Sequence, residues 1–248
     1  MAWTDLPGIG TILDLLCPPR CVFCSADVEP SPARRGVVAC EACAALLSRD
    51  MPRCQRCGEP LPGSSGCRRC RGRRVAWDGL AVLAPYADDI RDVVLRAKRP
   101  AGEGVAAGLA SLLVRKHREL FESWRIDTVV PVPMHWLRRA SRGTSAAHEI
   151  ARGVATGLGL PCRSAVKRIR NTLMQNELPF EERPANLNGA FRAVGRLPGS
   201  RVLVVDDVTT TGSTLAGCRE ALVEAGASAV YAAVVARADR AAAVDSES

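Results

Sequence analysis

The sequence predicts an α/β protein in which a central, mainly parallel sheet flanked by helices is preceded by a small cysteine-rich zinc-binding module. Two observations carry this. Nine of the eleven cysteines lie between Cys17 and Cys70, and a four-residue aliphatic run, Val202 to Val205, leads into an acidic pair, a hydroxyl-rich loop and a helical pattern. A short unbroken aliphatic run is the pattern of a strand buried on both faces, the usual environment inside a parallel sheet. At 248 residues the chain has room for one α/β domain and a small module. We expect the zinc-binding part and a basic link in residues 1–74, the α/β part in 75–240 and a flexible tail in 241–248.

Taken in order, residues 1–16 hold Ile9, Ile12, Leu13, Leu15 and Leu16, a short amphipathic stretch expected to pack on the adjoining cysteine-rich module. Four C-x2-C pairs come next: Cys21/Cys24, Cys40/Cys43, Cys54/Cys57 and Cys67/Cys70. Thiolates at this spacing grip one metal from a tight turn, and two pairs complete a tetrahedral zinc site. Phe23 and Ser25, then Arg56 and Gly58, give the leading pairs similar knuckle turns. Spacing allows sequential or interleaved pairing; the sequential arrangement is favoured because it closes shorter loops. A disulfide framework is the alternative, disfavoured because the N-terminus lacks a basic region followed by a long apolar core. Cys17 is a ninth candidate ligand, assigned to the preceding apolar stretch.

Between Arg68 and Arg74 five arginines occur in seven residues, readable as a solvated linker or as a phosphate contact. Residues 79–86 read as a strand, Ile90–Lys98 and Gly104–Trp124 as helices, and His117 as an exposed or stripe-edge residue. Ile126–Val132 reads as a second buried strand, stiffened at its exit by Pro131 and Pro133. A basic group, Arg138, Arg139 and Arg142, comes after it, and then a helix over Ser145–Leu158. Val166–Phe191 is long, polar and too weakly patterned for a packed element, as lids often are.

The chemistry is densest at Val202–Thr214. We expect Asp206 and Asp207 to end the strand, and Leu215, Cys218, Ala221 and Leu222 to mark the buried side of a helix running from Thr214 to Ala225. A loop at the carboxyl end of a parallel strand is where open α/β sheets hold ligands. Its N–H groups, with the hydroxyls of Thr209, Thr210, Thr211, Ser213 and Thr214, suit a phosphate. The acids would repel that anion, so they must face ribose hydroxyls or a bound Mg²⁺. A sugar phosphate reconciles both. An N-cap explains one aspartate but not a pair, and the absence of a lysine after Gly212 excludes a Walker-type loop.

This stretch resembles the PRPP-binding signature of type I phosphoribosyltransferases. With the cysteine pairs, the Pro-Val-Pro strand, the pattern Lys167-Arg168-x-Arg170-Asn171-Thr172-x-x-Gln175 and the closing Asn186-x-x-Gly189-Ala190-Phe191, the chain from Cys21 to Ala236 resembles the ComF family of competence-associated, phosphoribosyltransferase-like proteins. It departs at Arg142-Gly143-Thr144-Ser145-Ala146, where that family typically has Arg-Gly-Phe-Asn-Gln. The resemblance implies a type I phosphoribosyltransferase fold. It also implies that Asp206 and Asp207 hold ribose, that Val208, Thr209, Thr210, Thr211, Gly212, Ser213 and Thr214 anchor the 5′-phosphate, and that Val132, Pro133, Met134 and His135 form a pyrophosphate loop. Lys167, Arg168 and Arg170, on a mobile catalytic loop, would meet charge on the leaving pyrophosphate together with Mg²⁺. The base pocket is then expected in a hood formed by parts of residues 75–100.

Two functions from different classes are implied. One is an enzyme transferring phosphoribosyl to an acceptor; the other is a PRPP-binding protein that handles single-stranded DNA for uptake without turnover, and a retired transferase that keeps the ligand as a signal is a third variant. The partners implied are PRPP, single-stranded DNA, competence machinery and a second copy of the chain. No segment approaches the ~20 apolar residues of a membrane helix, and the chain is expected to be soluble and cytoplasmic. Its formal net charge of +8 counts cysteines as neutral; two tetrathiolate zinc sites would lower it to roughly +4. Ten aromatic residues in all, with Trp77 and Trp136 near basic clusters, are few for a stacking-based single-strand binder.

Overall fold

The computed structural model describes residues 19–29, 39–49, 51–61, 66–67, 70–71, 77–134, 145–169 and 189–239. Four strands, β1 (Gly79–Pro85), β2 (Thr128–Pro131), β5 (Arg201–Thr209) and β6 (Ala229–Arg237), form an all-parallel sheet in the order β1-β6-β5-β2. Helices α2 (Asp88–Ala97), α3 (Glu103–Trp124) and α4 (Ala146–Leu158) cover one face, where Leu83, Leu203 and Val205 join Val94, Leu109, Leu113 and Ile150 in a common core. Helix α5 (Ser213–Glu224) covers the other, its buried Leu215, Cys218, Ala221 and Leu222 meeting Val202, Val204 and Val234. Alternation along β5 thus sends successive aliphatic side chains to opposite cores, which is why the run is uninterrupted. Among the described residues no helix is long and apolar enough to cross a membrane.

Two expectations are corrected. The acids do not end β5; the strand continues through them to Thr209 because β6 is equally long and pairs with it up to Thr209↔Arg237. The 166–191 segment is not all loop. β3 (Val166–Arg168) and β4 (Phe191–Ala193) form an antiparallel ribbon anchored by buried Val166 and Phe191, while residues 170–188 lie outside the described ones. Within the stretch expected to supply the hood, residues 75–100, the edge strand β1 and helix α2 are found, with Leu80 to Ala84 buried in the two cores. His117 is the stripe-edge residue expected, half-buried at a kink in α3, where it hydrogen-bonds the Val82 carbonyl at 2.9 Å.

The cysteine-rich segment is built on that edge. Cys40 caps the short helix α1 (Glu41–Leu47), its sulfur accepting the Cys43 N–H at 3.4 Å. The two knuckles repeat each other: Ser25 N–H donates to Cys21 O and Gly58 N–H to Cys54 O, with positive φ of 62° and 72°. Arg96 from α2 holds the first knuckle through the carbonyls of Phe23, at 2.6 Å, and Val22, at 3.1 Å. Gly108 of α3 leaves room for the side chains of the same two residues, which a Cβ there would meet at 2.7–2.8 Å. The second knuckle covers the open edge of the sheet, where Leu80 N–H donates to Gln55 O at 2.7 Å. Edge strands with unpaired N–H groups invite association, and here the knuckle supplies the missing partner.

A buried ionic cluster pins the second knuckle to the end of β6. Arg237, 2% exposed, donates to Glu59 at 2.7 Å and to Asp239 at 2.6 Å. Asp239 also accepts two hydrogen bonds from Arg53, at 3.1 and 2.9 Å, and Arg53 reaches the Gly58 carbonyl at 2.8 Å. Paired guanidinium forks with satisfied carboxylates are the form in which buried charge is tolerated.

Candidate active site and metal centres

The eight paired cysteines form two quartets, Cys21/Cys24/Cys40/Cys43 and Cys54/Cys57/Cys67/Cys70, whose sulfurs lie within 4.8 Å of one another. This is the sequential arrangement. Separations of 3.7 Å for Cys24–Cys40 and Cys54–Cys70 and 3.5 Å for Cys57–Cys67 are far beyond a disulfide bond. They fit tetrahedral zinc, whose ~2.3 Å bonds set sulfurs ~3.8 Å apart. The N–H of Cys40 donates to Cys21 Sγ at 3.3 Å, the kind of contact that stabilises a coordinating thiolate. Cys17 lies outside the described residues.

The second site forms where the sheet changes direction. Helix α4, which comes after β2, lies on one face, and α5, which comes after β5, on the other, so a crevice opens beyond the carboxyl ends of these neighbouring strands. β2 pairs with β5 only as far as Pro131↔Val205, with one further bond from Val132 N–H to Val205 O at 2.9 Å. Pro131 and Pro133 have no N–H to extend the ladder. Beyond Val205 the β5 backbone is therefore paired on the β6 side and released on the β2 side. Asp206 and Asp207 occupy that half-released segment, with Val132, Pro133 and Met134 beside it; His135 lies outside the described residues.

Strand alternation separates the two acids. Asp207 faces the α2 side, where Lys98 Nζ approaches its Oδ2 to 3.2 Å. Asp206 faces the α5 side and accepts the Asp207 N–H at 2.8 Å. Burial pushes the Asp206 carboxyl up to about 7 and the adjacent Asp207 charge adds to this, while that hydrogen bond and Lys98 pull it down. The Cys218 thiol is raised well above its ordinary value by burial and then by the charge on Asp206, and Arg168 lowers it in part. The Arg168 guanidinium lies 5.7 Å from the Phe191 ring centre. Lys167 is on the exposed side of β3, and Arg170 lies outside the described residues.

The sign of the Asp206 shift gives a testable consequence. Between about pH 4 and 7 the folded chain keeps a proton that the unfolded chain releases, so stability falls as pH rises through that window. Asp206→Asn should therefore stabilise the unliganded protein above pH 7 by on the order of 2 kcal/mol after allowance for solvent access, raising its melting temperature, and should change it little near pH 4. Parallel melting curves of the two proteins across pH 4–8 would contradict this.

The loop after β5 is short. Val208 and Thr209 belong to the strand, and Thr209 is 6% exposed. Thr210 and Thr211 lead to Gly212, whose φ of +83° starts α5. A Cβ at Gly212 would lie 2.3 Å from the Trp77 ring, so both conformation and close approach demand glycine. Thr211 Oγ1 meets Ser213 Oγ at 2.7 Å and accepts the Ser213 N–H at 3.3 Å, but no side chain caps the helix from Gly212. The N-terminal turn of α5, with the Thr214 hydroxyl beside it, is directed at the crevice with the positive end of the helix dipole.

Comparison with known proteins agrees with both halves. The double zinc ribbon domain family matches residues 12–71 and the phosphoribosyl transferase domain family matches residues 101–248. "Competence protein F" of Haemophilus influenzae is 29% identical over 204 residues, covering 79% of this chain and 87% of that protein. "DNA utilization protein YhgH" of Salmonella typhimurium is 31% identical over 196 residues, covering 77% and 86%. The chain belongs to the competence protein F (ComF) family. Among solved structures, a purine phosphoribosyltransferase from Pyrococcus horikoshii is a distant likeness, 20% identical with a TM-score of 0.35 over 52% of this chain and 71% of its own. This ComF-family chain thus joins two four-cysteine zinc ribbons to a type I phosphoribosyltransferase-like fold. Lys98 is the site residue that the sequence did not single out. At the end of an amphipathic helix it looks like any basic C-terminal residue, and only the fold carries it to Asp207.

Proposed function

We propose that this ComF-family protein binds PRPP in the β2/β5 crevice and transfers its phosphoribosyl group to an acceptor nucleophile. The observation that carries the reading is the juxtaposition of a half-released acid pair with an uncapped helix N-terminus at the sheet's switch point. Thr210 to Thr214 would hold the 5′-phosphate through N–H and hydroxyl donors, and Asp206 with Asp207 would accept hydrogen bonds from the ribose hydroxyls. Val132 to His135 would line the pyrophosphate side, with Lys98, Lys167, Arg168 and Arg170 as its cations. The acids are also the oxygen donors Mg²⁺ takes, and the metal would supply further compensation for charge on the departing pyrophosphate. Departure from the anomeric carbon needs no covalent nucleophile on the protein; positioning and electrostatics suffice.

On this reading residues 75–240 are the transferase part, residues 1–74 its zinc-bearing support and 241–248 a tail. Calorimetric titration with PRPP, with and without Mg²⁺, tests binding, and pyrophosphate release against a panel of bases tests transfer. Absence of PRPP binding in both metal conditions would overturn the reading. A second reading, a PRPP-binding protein that handles single-stranded DNA without turnover, is favoured by the names of the Salmonella and Haemophilus relatives. It predicts oligonucleotide binding with steep salt dependence and no pyrophosphate release.

A further inference from the structure

We propose that the groove between α3 and α4, on the outer side of the sheet's helical face, binds the sugar-phosphate backbone of a single nucleic-acid strand. The proposal deepens the DNA-handling reading by assigning it a surface separate from the PRPP crevice. The groove holds a cavity of about 530 Å³. It exists because the helices nearly touch at its floor: a Cβ on Gly153 would lie 2.6 Å from that of Ala110, and one on Gly157 would lie 3.2 Å from Val114.

Its charged lining is three arginines to one carboxylate, Arg115, Arg118 and Arg152 against Glu149. Arg152 pairs with Glu149 at 3.0 Å and Arg118 with Glu122 at 3.8 Å and with the Gly157 carbonyl at 3.2 Å. Those arginine side chains are 62% and 54% exposed, so the pairs are weak and readily exchanged for phosphate. Along α3 the lining runs from Ala107 to Arg118, about 16 Å at the helical rise, longer than one phosphate group and suited to an extended polyanion. No aromatic residue lines it, so bases would not stack there. Binding would be carried by the backbone and be indifferent to sequence.

The test is fluorescence anisotropy of a labelled oligothymidylate with the full-length zinc-loaded protein over a salt series. Replacing Arg115, Arg118 and Arg152 together with Gln should weaken binding at low salt by at least about tenfold and make the slope of log K against log salt shallower by about 2, since each phosphate contact contributes ~0.7 on a single strand. The same three positions as Lys should restore most of the affinity, and Glu149→Gln should tighten binding a few-fold. PRPP titration should be unchanged throughout. Wild-type affinity and slope in the Gln variant would overturn the assignment of this groove alone. Failure of the wild-type protein to bind the oligonucleotide would remove both the groove and the DNA reading, leaving the PRPP reading standing. Competition by polyglutamate as effective as that by unlabelled oligonucleotide would assign the groove to an acidic protein and also overturn the proposal.

Discussion

Stripping the zinc, or replacing Cys57 or Cys67 with Ser, should unfold the cysteine-rich segment and lower the melting temperature of the whole chain by more than about 10 °C. The magnitude comes from what else holds that segment. Its described buried apolar side chains, such as Phe23, Val28, Ala44 and Leu47, are few and lean on the α/β core. Metal ligation is worth roughly 10 kcal/mol or more in zinc-dependent peptides. A loss of even 4–5 kcal/mol moves the melting point of a chain this size by about 10 °C or more. The check is metal analysis, which should find two zinc ions per chain, followed by thermal melts with and without chelator. Cys162→Ser, outside both quartets, should leave the melt near that of the wild type. Unchanged melting after complete removal of zinc would contradict the structural role given to the quartets.

Asp207→Ala should reduce PRPP affinity about tenfold to a hundredfold while leaving the chain folded. The carboxylate would be lost as an acceptor of ribose hydrogen bonds, and hydrogen bonds to a charged group are worth about 1.5–3 kcal/mol each. Folding should be spared because Asp207 is partly solvent-exposed and Lys98, the cation paired with it among the described residues, can turn to water. Asp207→Asn keeps the shape and should fall between wild type and Ala. Calorimetry with Mg²⁺ present decides the matter: unchanged PRPP affinity in Asp207→Ala would remove the acid pair from the binding site. Lys98→Ala gives an independent comparison. It removes a cation from the same site without touching the acids, and should weaken binding of PRPP more than that of ribose 5-phosphate, which lacks the pyrophosphate.

The features legible from residues alone were those fixed by short-range spacing. C-x2-C pairs announce tetrathiolate metal sites because the turn itself sets the ligand geometry, and Leu215, Cys218, Ala221 and Leu222 declare a helix face because 3.6-residue periodicity does. The strand was legible at Val202–Val205 but not to its end. Two aspartates break the apolar run, and it is the register with β6, a long-range fact, that keeps them extended. Lys98, Arg237 and the α3/α4 groove were invisible for the same reason. Each depends on which elements become neighbours, and nothing in the local sequence around Lys98 or Arg152 differs from an ordinary solvated helix. Of the stretch expected to supply the hood, Leu80 to Ala84 alternate between two cores and belong to the sheet, whereas Trp77 lies against Gly212 and Lys98 against Asp207.

The ion cluster around Arg237 has a consequence for how the molecule can be divided. Its guanidinium belongs to the last residue of β6, beside Thr209 at the rim of the crevice, yet one of its two carboxylates, Glu59, lies immediately after a zinc knuckle. A shortened chain that began at β1 would keep every strand of the parallel sheet but would lose Arg53 and Glu59 together, leaving Arg237 with Asp239 alone, its cover of knuckle residues gone and the edge of β1 without its Gln55 partner. What the truncation exposes is the packing over that pair and the edge of the sheet, both supplied by the second knuckle. The zinc ribbon is therefore a splint for the rim of the crevice rather than an appendage to it, and the two parts should melt as one cooperative unit.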